Sequence, residues 1–268
     1  MSSDVRATAI RFADLWAVDP HQMVDEIYAE GIVMENMANP ARVIRGSVEL
    51  HAVEDVLASR IPEHRHELVR VIAASTEAGT VACLETIVVG PVTGEYAPAC
   101  VWWWLDETGK VAEEVGWFEW ADRTTDSNVT HGTVPPNSAA CGDHDSQWYR
   151  GFAERFAHTW EVDRLGAYLA LFAQDCTFGH VGRQEHRGLG ALAEAEHFMP
   201  DASRGRHCSM AVHAVIGEAS VIAMLVTISD ETHETRGTIV LTLDDHDLIV
   251  SRRSYLDWAK AVPRSPRN

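Results

Sequence analysis

An internal repeat constrains the fold of this chain more than any other feature, because the second half repeats the first in ordered blocks. Three pairs of blocks match: RFADLWAVD at 11–19 with RFAHTWEVD at 155–163, RGSVEL at 45–50 with RGLGAL at 187–192, and WFEWA at 117–121 with YLDWA at 255–259. Matching blocks that recur in the same order indicate a tandem duplication. We therefore expect two domains of one fold.

The domain boundaries follow from the repeat and from composition. Residues 1–123 form the first predicted domain and residues 149–262 the second, followed by a short tail at 263–268. Residues 124–148 are polar and contain Pro, Gly and Ser, which is typical of a linker.

Composition limits the partners. The chain has 268 residues, of which 46% are hydrophobic, so it can bury two cores. Its 40 acidic against 22 basic residues give a net charge of −18, which argues against nucleic-acid binding. No apolar run reaches the roughly 20 residues of a membrane span, and the first residues lack the pattern of a secretory signal. The five scattered cysteines favour a reducing cytoplasm. We expect a cytoplasmic protein with a small-molecule or protein partner.

Each copy has helical patterns first and strand patterns later. In the first copy the periodicity predicts helices at 5–16, 19–28 and 48–57, a short extended segment at 32–37, and strands at 67–73, 81–89, 99–105 and 111–120. The predicted fold class is α+β, with three helices packed in a curved, mainly antiparallel sheet in each domain.

This order of elements, with the closing LDETGKV at 105–111, resembles the NTF2-like superfamily in its SnoaL-like branch. That branch includes ketosteroid isomerases, polyketide cyclases, limonene-type epoxide hydrolases and scytalone dehydratase. The resemblance implies two tandem cone-shaped domains, each holding a small apolar ligand. The sequence contains no set of four Cys and His residues at the spacing of a zinc site, so neither a metal nor a cofactor is expected. It also implies that the two copies pair within one chain through the outer faces of their sheets; a further homodimer is left open.

The resemblance places a general base after the aromatic residue that closes the second helix. That position holds Asn36 in the first copy and His180 in the second. Asn cannot take a proton, whereas a neutral imidazole is well matched to proton transfer near neutral pH. The hypothesis therefore makes His180 the base, His207 the partner acid and Arg252 the charge stabiliser of the second copy. The alternatives are a half-buried structural histidine at 180 and a surface histidine at 207.

The register of the last strand decides which of its side chains face the chamber. The family pattern turns Glu114, Gly116, Phe118 and Trp120 inward in the first copy, and Arg252, Ser254, Leu256 and Trp258 inward in the second. A slip of one residue would exchange these sets with their neighbours. The predicted substrate-binding residues are Phe178, Ser254 and Trp258 in the second copy and Met34, Asn36, His66, Trp103 and Phe118 in the first.

Two carboxylates of the first copy are a further candidate pair. Glu35 lies beside Asn36, and Glu67 lies beside His66. If burial separated their pKa values, they could share the acid and base roles. The alternative is that both are solvated.

Two known chemistries of the family are not supported. The oxyanion-binding pair of the steroid isomerases falls on Phe12 and Val101 in the first copy. Asn36 matches a water-holding Asn of the epoxide hydrolases, but their Arg-x-Asp motif is replaced by CLETI at 83–87.

The sequence is consistent with three functions. The first is an isomerase, cyclase or dehydratase of a polyketide- or terpenoid-like substrate from secondary metabolism. The second is an epoxide hydrolase or epoxide-opening cyclase, and the third is a non-catalytic binding or interaction module.

Overall fold

The computed structural model describes residues 2–37, 42–77, 79–92, 94, 96–118, 144–160, 165–181, 185–197, 208–256 and 262–263. The chain divides into two compact units, Met1–Val129 and Thr130–Asn268. Most of the predicted linker lies outside the described residues. Its last part does not: a helix begins at Ser146, because the Asp145 side chain accepts a hydrogen bond from the Trp148 backbone N–H and caps the first turn.

In its described residues, unit 1 has three helices and six strands. In chain order they are α1 (Ser2–Val18), α2 (Pro20–Ile27), β1 (Tyr28–Asn36), β2 (Val43–Arg45), α3 (Ser47–Arg60), β3 (Arg65–Thr76), β4 (Gly79–Val89), β5 (Tyr96–Leu105) and β6 (Val111–Phe118). The strand order is β2-β1-β6-β5-β4-β3. All neighbours are antiparallel except β1 and β6, which run parallel.

Local sequence explains where the helices meet the sheet. The side chain of Asp19 caps α2, and Pro20 occupies the first turn, where its missing N–H costs nothing. The helix ends at Ile27, one residue earlier than predicted, and Tyr28 already has extended backbone and begins β1.

Strand alternation in β5 and β6 separates the two faces of the sheet of unit 1. Val101 and Trp103 belong to the core formed with the helices, whereas Trp102 lies at the alternate position between them. On β6, Glu114 is paired with Met34 of β1 and with Trp103 of β5. This register turns Glu114 toward the helices, as predicted.

Unit 2 repeats the order of elements. They are α4 (Ser146–His158), α5 (Leu165–Leu169), β7 (Phe172–His180), β8 (His186–Arg187), α6 (Leu189–His197), β9 (Ser209–Glu218), β10 (Val221–Ser229), β11 (His233–Leu243), β12 (Ile249–Tyr255) and β13 (Val262–Pro263). The strand order β8-β7-β12-β11-β10-β9 matches unit 1, and β13 pairs with β11. The parallel pair is again the first long strand with β12.

The fold class is therefore confirmed: each unit is α+β, with helices packed on a mainly antiparallel sheet. In the described part of the chain, no helix is both long and apolar enough to span a membrane.

Gly217 on β9 lies directly under the ring of Tyr149 on α4. A Cβ atom at position 217 would be 2.2 Å from Tyr149 Cδ1. Because the Tyr149 hydroxyl also donates to the Ala219 carbonyl, the ring has little freedom to move. We expect Gly217→Ala to lower the free energy of unfolding by about 1–3 kcal/mol, measured by urea denaturation.

Gly190 of α6 provides the matched control, since a Cβ atom there would meet nothing within 4 Å. Gly190→Ala should leave stability unchanged or raise it slightly, because alanine is the better helix former. Equal effects of the two substitutions would contradict the close contact between Gly217 and Tyr149.

Candidate functional site

Unit 1 contains a cavity of about 280 Å³ between its helices and the inner face of its sheet. Most of the wall is aromatic and aliphatic, with Phe12, Tyr28 and Phe118 among the rings that line it. The polar side chains of the lining are Asn36, Arg42, Glu54, Arg60, His66 and Glu114. An apolar chamber with a few convergent polar groups is typical of a small-molecule site.

Glu114 is held in this cavity by two hydrogen bonds to a single oxygen. The Tyr28 hydroxyl donates to Oε2 at 2.7 Å, and the indole Nε1 of Trp103 donates to the same atom at 2.8 Å. The side chain is 2% exposed. Burial raises the pKa of Glu114 to about 7, and the two donors oppose this rise without cancelling it.

Tyr28 is a donor that stays protonated. Its hydroxyl is buried and faces the Glu114 carboxyl group, and both effects raise the pKa of Tyr28 well above its usual value of 10.0. The hydroxyl therefore holds Glu114 in place without competing for the proton that Glu114 gains or loses near pH 7.

Glu54 supplies a second buried carboxyl group from α3. The indole Nε1 of Trp16 donates to its Oε2 at 2.5 Å. Burial raises the pKa of Glu54 to about 7, and the negative charge of Glu114 contributes to the rise. In the part of the chain that the structure describes, the Oε1 atoms of both carboxyl groups receive no hydrogen bond.

His66 begins the wall on β3 and is enclosed by rings. Its imidazole lies 3.4 Å from the Trp16 ring, centroid to centroid, and 4.9 Å from that of Phe12. Nδ1 lies 3.1 Å from the Thr86 hydroxyl, while the buried Nε2 has no hydrogen-bond partner among the described residues. Burial holds the pKa of His66 well below 6.5, so the ring is neutral near pH 7.

Together these groups can move protons. Two carboxyl groups with pKa values near 7 are each present in both protonation states at neutral pH, so one can accept a proton while the other donates one. The neutral imidazole offers a further hydrogen bond to a ligand atom. Among the described residues, no group of three or more His, Cys, Asp or Glu side chains is placed to hold a metal ion.

The structure brings together the residues proposed from the sequence of the first copy. Met34, Asn36, His66 and Phe118 line the cavity, and Trp103 reaches it through its hydrogen bond to Glu114.

The carboxylate pair proposed from the sequence is a different case. Glu67 is exposed and forms an ion pair with Arg65 at 3.0 Å. Neither Glu67 nor Glu35 lines the cavity. The alternative stated with this pair, that its carboxylates are solvated, therefore agrees with the structure for Glu67, and the carboxyl groups that line the cavity are Glu114 and Glu54.

The second copy differs from its prediction. His180 lies at the end of β7 and is exposed, so it does not form the floor of an enclosed chamber. The reason is its position in the strand. His180 follows the buried residues Cys176 and Phe178 on the same strand face, but it is the last residue of β7. His207 and Trp258 lie outside the described residues, as does Trp120 of the first copy.

Arg252 and Ser254 are buried on β12, but so are Ser251, Arg253 and Tyr255 at the alternate positions, so burial does not distinguish the two faces of this strand. The Arg252 guanidinium donates to the Tyr168 hydroxyl and lies 5.6 Å from the centre of the Phe178 ring. The polar position that Glu114 occupies in unit 1 is thus taken by a buried cation among aromatic rings in unit 2.

Glu54 is the residue that the sequence reasoning missed. It follows Leu50 by one helical turn on α3 and precedes Leu57 by another, so it interrupts the apolar stripe of that helix. A carboxylate on the apolar face of an amphipathic helix was the sequence feature that could have identified Glu54 as a buried acid.

Comparisons with known proteins concern the fold of half of the chain. No family model and no curated protein matches the sequence. Three solved structures illustrate the structural matches. A Δ5-3-ketosteroid isomerase from Mycobacterium sp. is 17% identical, with a TM-score of 0.38, and covers 43% of this chain and 98% of its own. An LEH-like epoxide hydrolase from M. tuberculosis is 17% identical, with a TM-score of 0.34, and covers 42% and 84%.

The third is a SnoaL-like family protein from Agrobacterium tumefaciens, 14% identical, with a TM-score of 0.36, covering 44% of this chain and 98% of its own. The repeated order of helices and strands in the two units is the order that the sequence predicted, and the parallel strand pair in each unit is an addition that the structure makes. The fold class that the sequence predicted, helices on a mainly antiparallel sheet in each half of the chain, is therefore confirmed from the structure itself.

Proposed function

We propose that unit 1 is the catalytic half of a cofactor-independent acid–base enzyme that isomerises, cyclises or dehydrates an apolar small molecule. The observation that supports this most directly is the pair of buried carboxyl groups, Glu54 and Glu114, on the wall of one apolar cavity. Each receives an indole N–H and has a pKa of about 7.

In this mechanism the Glu114 carboxylate takes a proton from a carbon atom of the substrate. Tyr28 and Trp103 fix its Oε2 and leave Oε1 for the proton. The protonated Glu54 donates to the substrate oxygen on which negative charge develops. In an isomerisation, Glu114 then passes its proton to another carbon atom, and Glu54 takes its own proton back from the enol oxygen as the carbonyl re-forms. In a dehydration, the hydroxide leaves with the Glu114 proton as water, and Glu54 recovers its proton in the same way.

His66 has a binding role in this proposal. A neutral imidazole cannot supply a positive charge, but its buried Nε2 can form one hydrogen bond to a substrate hydroxyl or carbonyl group. A ligand atom at this point removes the cost of leaving the ring nitrogen without a partner.

Epoxide opening is the second candidate function, and Asn36 is the observation that favours it. Its side chain lines the cavity. On the paired strands β1 and β6, Asn36 lies opposite Gly116, two residues beyond Glu114. Asn36 would hold a water molecule whose oxygen attacks an epoxide carbon as Glu114 takes its proton, and Glu54 would protonate the epoxide oxygen as the ring C–O bond breaks. Exchange of protons with solvent then returns Glu114 to the ionised form and Glu54 to the protonated form.

Catalysis by His180, His207 and Arg252 in unit 2 is a third hypothesis, which the same experiment tests. The exposure of His180 argues against it. A fourth hypothesis is that the chain binds a ligand without transforming it.

The experiment follows α-proton exchange of the two-ring ketone 2-tetralone in D₂O by proton NMR. We expect the native protein to accelerate exchange, the double variant Glu54→Gln/Glu114→Gln to lose the acceleration, and His180→Ala to keep it.

Loss of exchange in His180→Ala alone would place the active site in unit 2 instead of unit 1. Formation of an ¹⁸O-labelled diol from indene oxide in H₂¹⁸O, without tetralone exchange, would favour epoxide hydrolysis. Neither reaction, with ketone binding retained, would favour a binding protein.

The proposal also includes a polyketide- or terpenoid-like substrate, pairing of the two copies within one chain, and a cytoplasmic location. Cell fractionation with a tagged full-length chain tests the location. Cross-linking of the intact chain followed by peptide mapping tests the pairing, which predicts links between the outer faces of the two sheets.

A further inference from the structure

Two arginines stand at the mouth of the unit 1 cavity. Arg42 precedes β2 and Arg60 ends α3, so they come from different elements that the fold brings to one opening. Both are exposed, as is Val56, which also lines the cavity and is 67% exposed. Exposed lining residues mark the side on which the cavity meets solvent.

The deeper wall has a different character. The acidic groups among the described lining residues are Glu54 and Glu114, both buried. Their raised pKa values mean that the pair carries less than its full negative charge at neutral pH. The cavity therefore changes along its depth from a cationic opening through an apolar middle to two partly protonated carboxyl groups.

A cationic opening offers no favourable electrostatic interaction to a neutral apolar ligand. The chain as a whole carries a net charge of −18, so an anion is repelled by most of the surface and attracted by guanidinium groups only where they are concentrated. Guanidinium stays charged at all relevant pH values, and its planar donors match a carboxylate.

We infer that the substrate of unit 1 is amphipathic: its anionic group, a carboxylate or a similar oxyanion, binds Arg42 and Arg60 at the mouth while its apolar part fills the cavity. This inference rests on the proposed function only in taking the cavity as the substrate site. It places the reacting carbon at the far end of the ligand from its charge, beside Glu54 and Glu114.

The test compares 2-naphthoate with 2-naphthamide, which have nearly the same shape and differ in charge. Binding is measured at pH 7 by naphthalene fluorescence or calorimetry with the full chain. We expect 2-naphthoate to bind about tenfold more tightly than the amide, as charge-assisted hydrogen bonds to arginine predict. Added salt should reduce this preference.

Arginine variants assign the preference to the mouth. The double variant Arg42→Gln/Arg60→Gln should bind both compounds equally, while its affinity for the amide stays within about twofold of the native value. The variant Arg42→Lys/Arg60→Lys keeps the charge and should keep much of the preference, which also guards against misfolding of the glutamine variant. Arg65→Gln is the matched control, because Arg65 is exposed on the same unit and pairs with Glu67 outside the cavity.

Equal affinity of the native chain for the two compounds would overturn the inference, as would a preference that survives in Arg42→Gln/Arg60→Gln. These outcomes are separate from those of the ketone exchange. A preference for 2-naphthoate without ketone exchange would make unit 1 a binder of amphipathic anions. Ketone exchange without a preference for 2-naphthoate would support the proposed enzyme and contradict the inference of an anionic substrate.

Discussion

Glu114→Gln should reduce the rate of 2-tetralone exchange by about 10²- to 10⁴-fold, the usual contribution of a positioned acid–base group. The substitution keeps an oxygen that can accept from Tyr28 and Trp103, so the hydrogen bonds at 2.7 and 2.8 Å need not be lost. What it removes is the group that takes and returns the proton. We therefore expect a loss of turnover with little change in the affinity for the ketone.

The neighbouring residue provides the control. Glu113 is exposed and turned to the other face of β6, and Glu113→Gln changes the net charge by the same amount. This variant should exchange protons at the native rate. Native activity in Glu114→Gln, with its fold verified by circular dichroism, would exclude Glu114 as the base.

The pH profile of the native protein adds an independent check on the pair. Glu54 and Glu114 influence each other electrostatically, so their two protons leave in successive steps that belong to the pair. If one group must be protonated and the other ionised, the rate should be highest near pH 7 and fall on both sides. A rate that follows a single ionisation near pH 4.5 would contradict the raised pKa values.

The sequence predicted the fold well because the fold depends on patterns that are local and repeated. The change from a helical period to alternation marks the order of elements in each copy, and the second copy confirms the first. The register of β6 was also correct, since Glu114 and Phe118 line the cavity. That prediction depended on counting from a tight turn, which fixes the pairing of the strands it joins.

The choice between the two copies could not be made in the same way. It was based on one position, Asn36 against His180, and on the rule that a base must be able to take a proton. The structure shows that His180 is exposed and that Asn36 shares its cavity with two carboxyl groups from other elements. Whether a side chain is enclosed depends on contacts between elements far apart in the chain, and no single position in a sequence reports them.

Glu54 illustrates the same limit from the other direction. Its place on the apolar stripe of α3 was visible, but its environment is made by Trp16 from α1 and by the charge of Glu114 from β6. A glutamate on a helix is ordinarily solvated. Only the assembled unit converts it into a buried group with a pKa of about 7.

The stability of unit 1 should fall as the pH rises from about 4.5 to 7, because of the same two carboxyl groups. Their pKa values are about 7 in the folded chain and near 4.5 when unfolded, so the folded state holds more protons across this range. A group whose folded pKa is raised contributes its full stability below the unfolded value and loses it on the way to the folded one. The loss is on the order of 3 kcal/mol for each carboxyl group.

Glutamine at both positions removes this dependence, since it has no proton to lose. Compared with the native chain, Glu54→Gln/Glu114→Gln should therefore gain stability between about pH 4.5 and pH 7 and level off above that range, and Glu113→Gln should not. Urea denaturation followed by hydrogen exchange of peptides from residues 97–118 reports unit 1 separately from unit 2. If the stabilities of the native chain and the double variant changed in parallel with pH, the two carboxyl groups would ionise at ordinary pKa values. The cavity would then not hold the acid–base pair on which catalysis is proposed to depend.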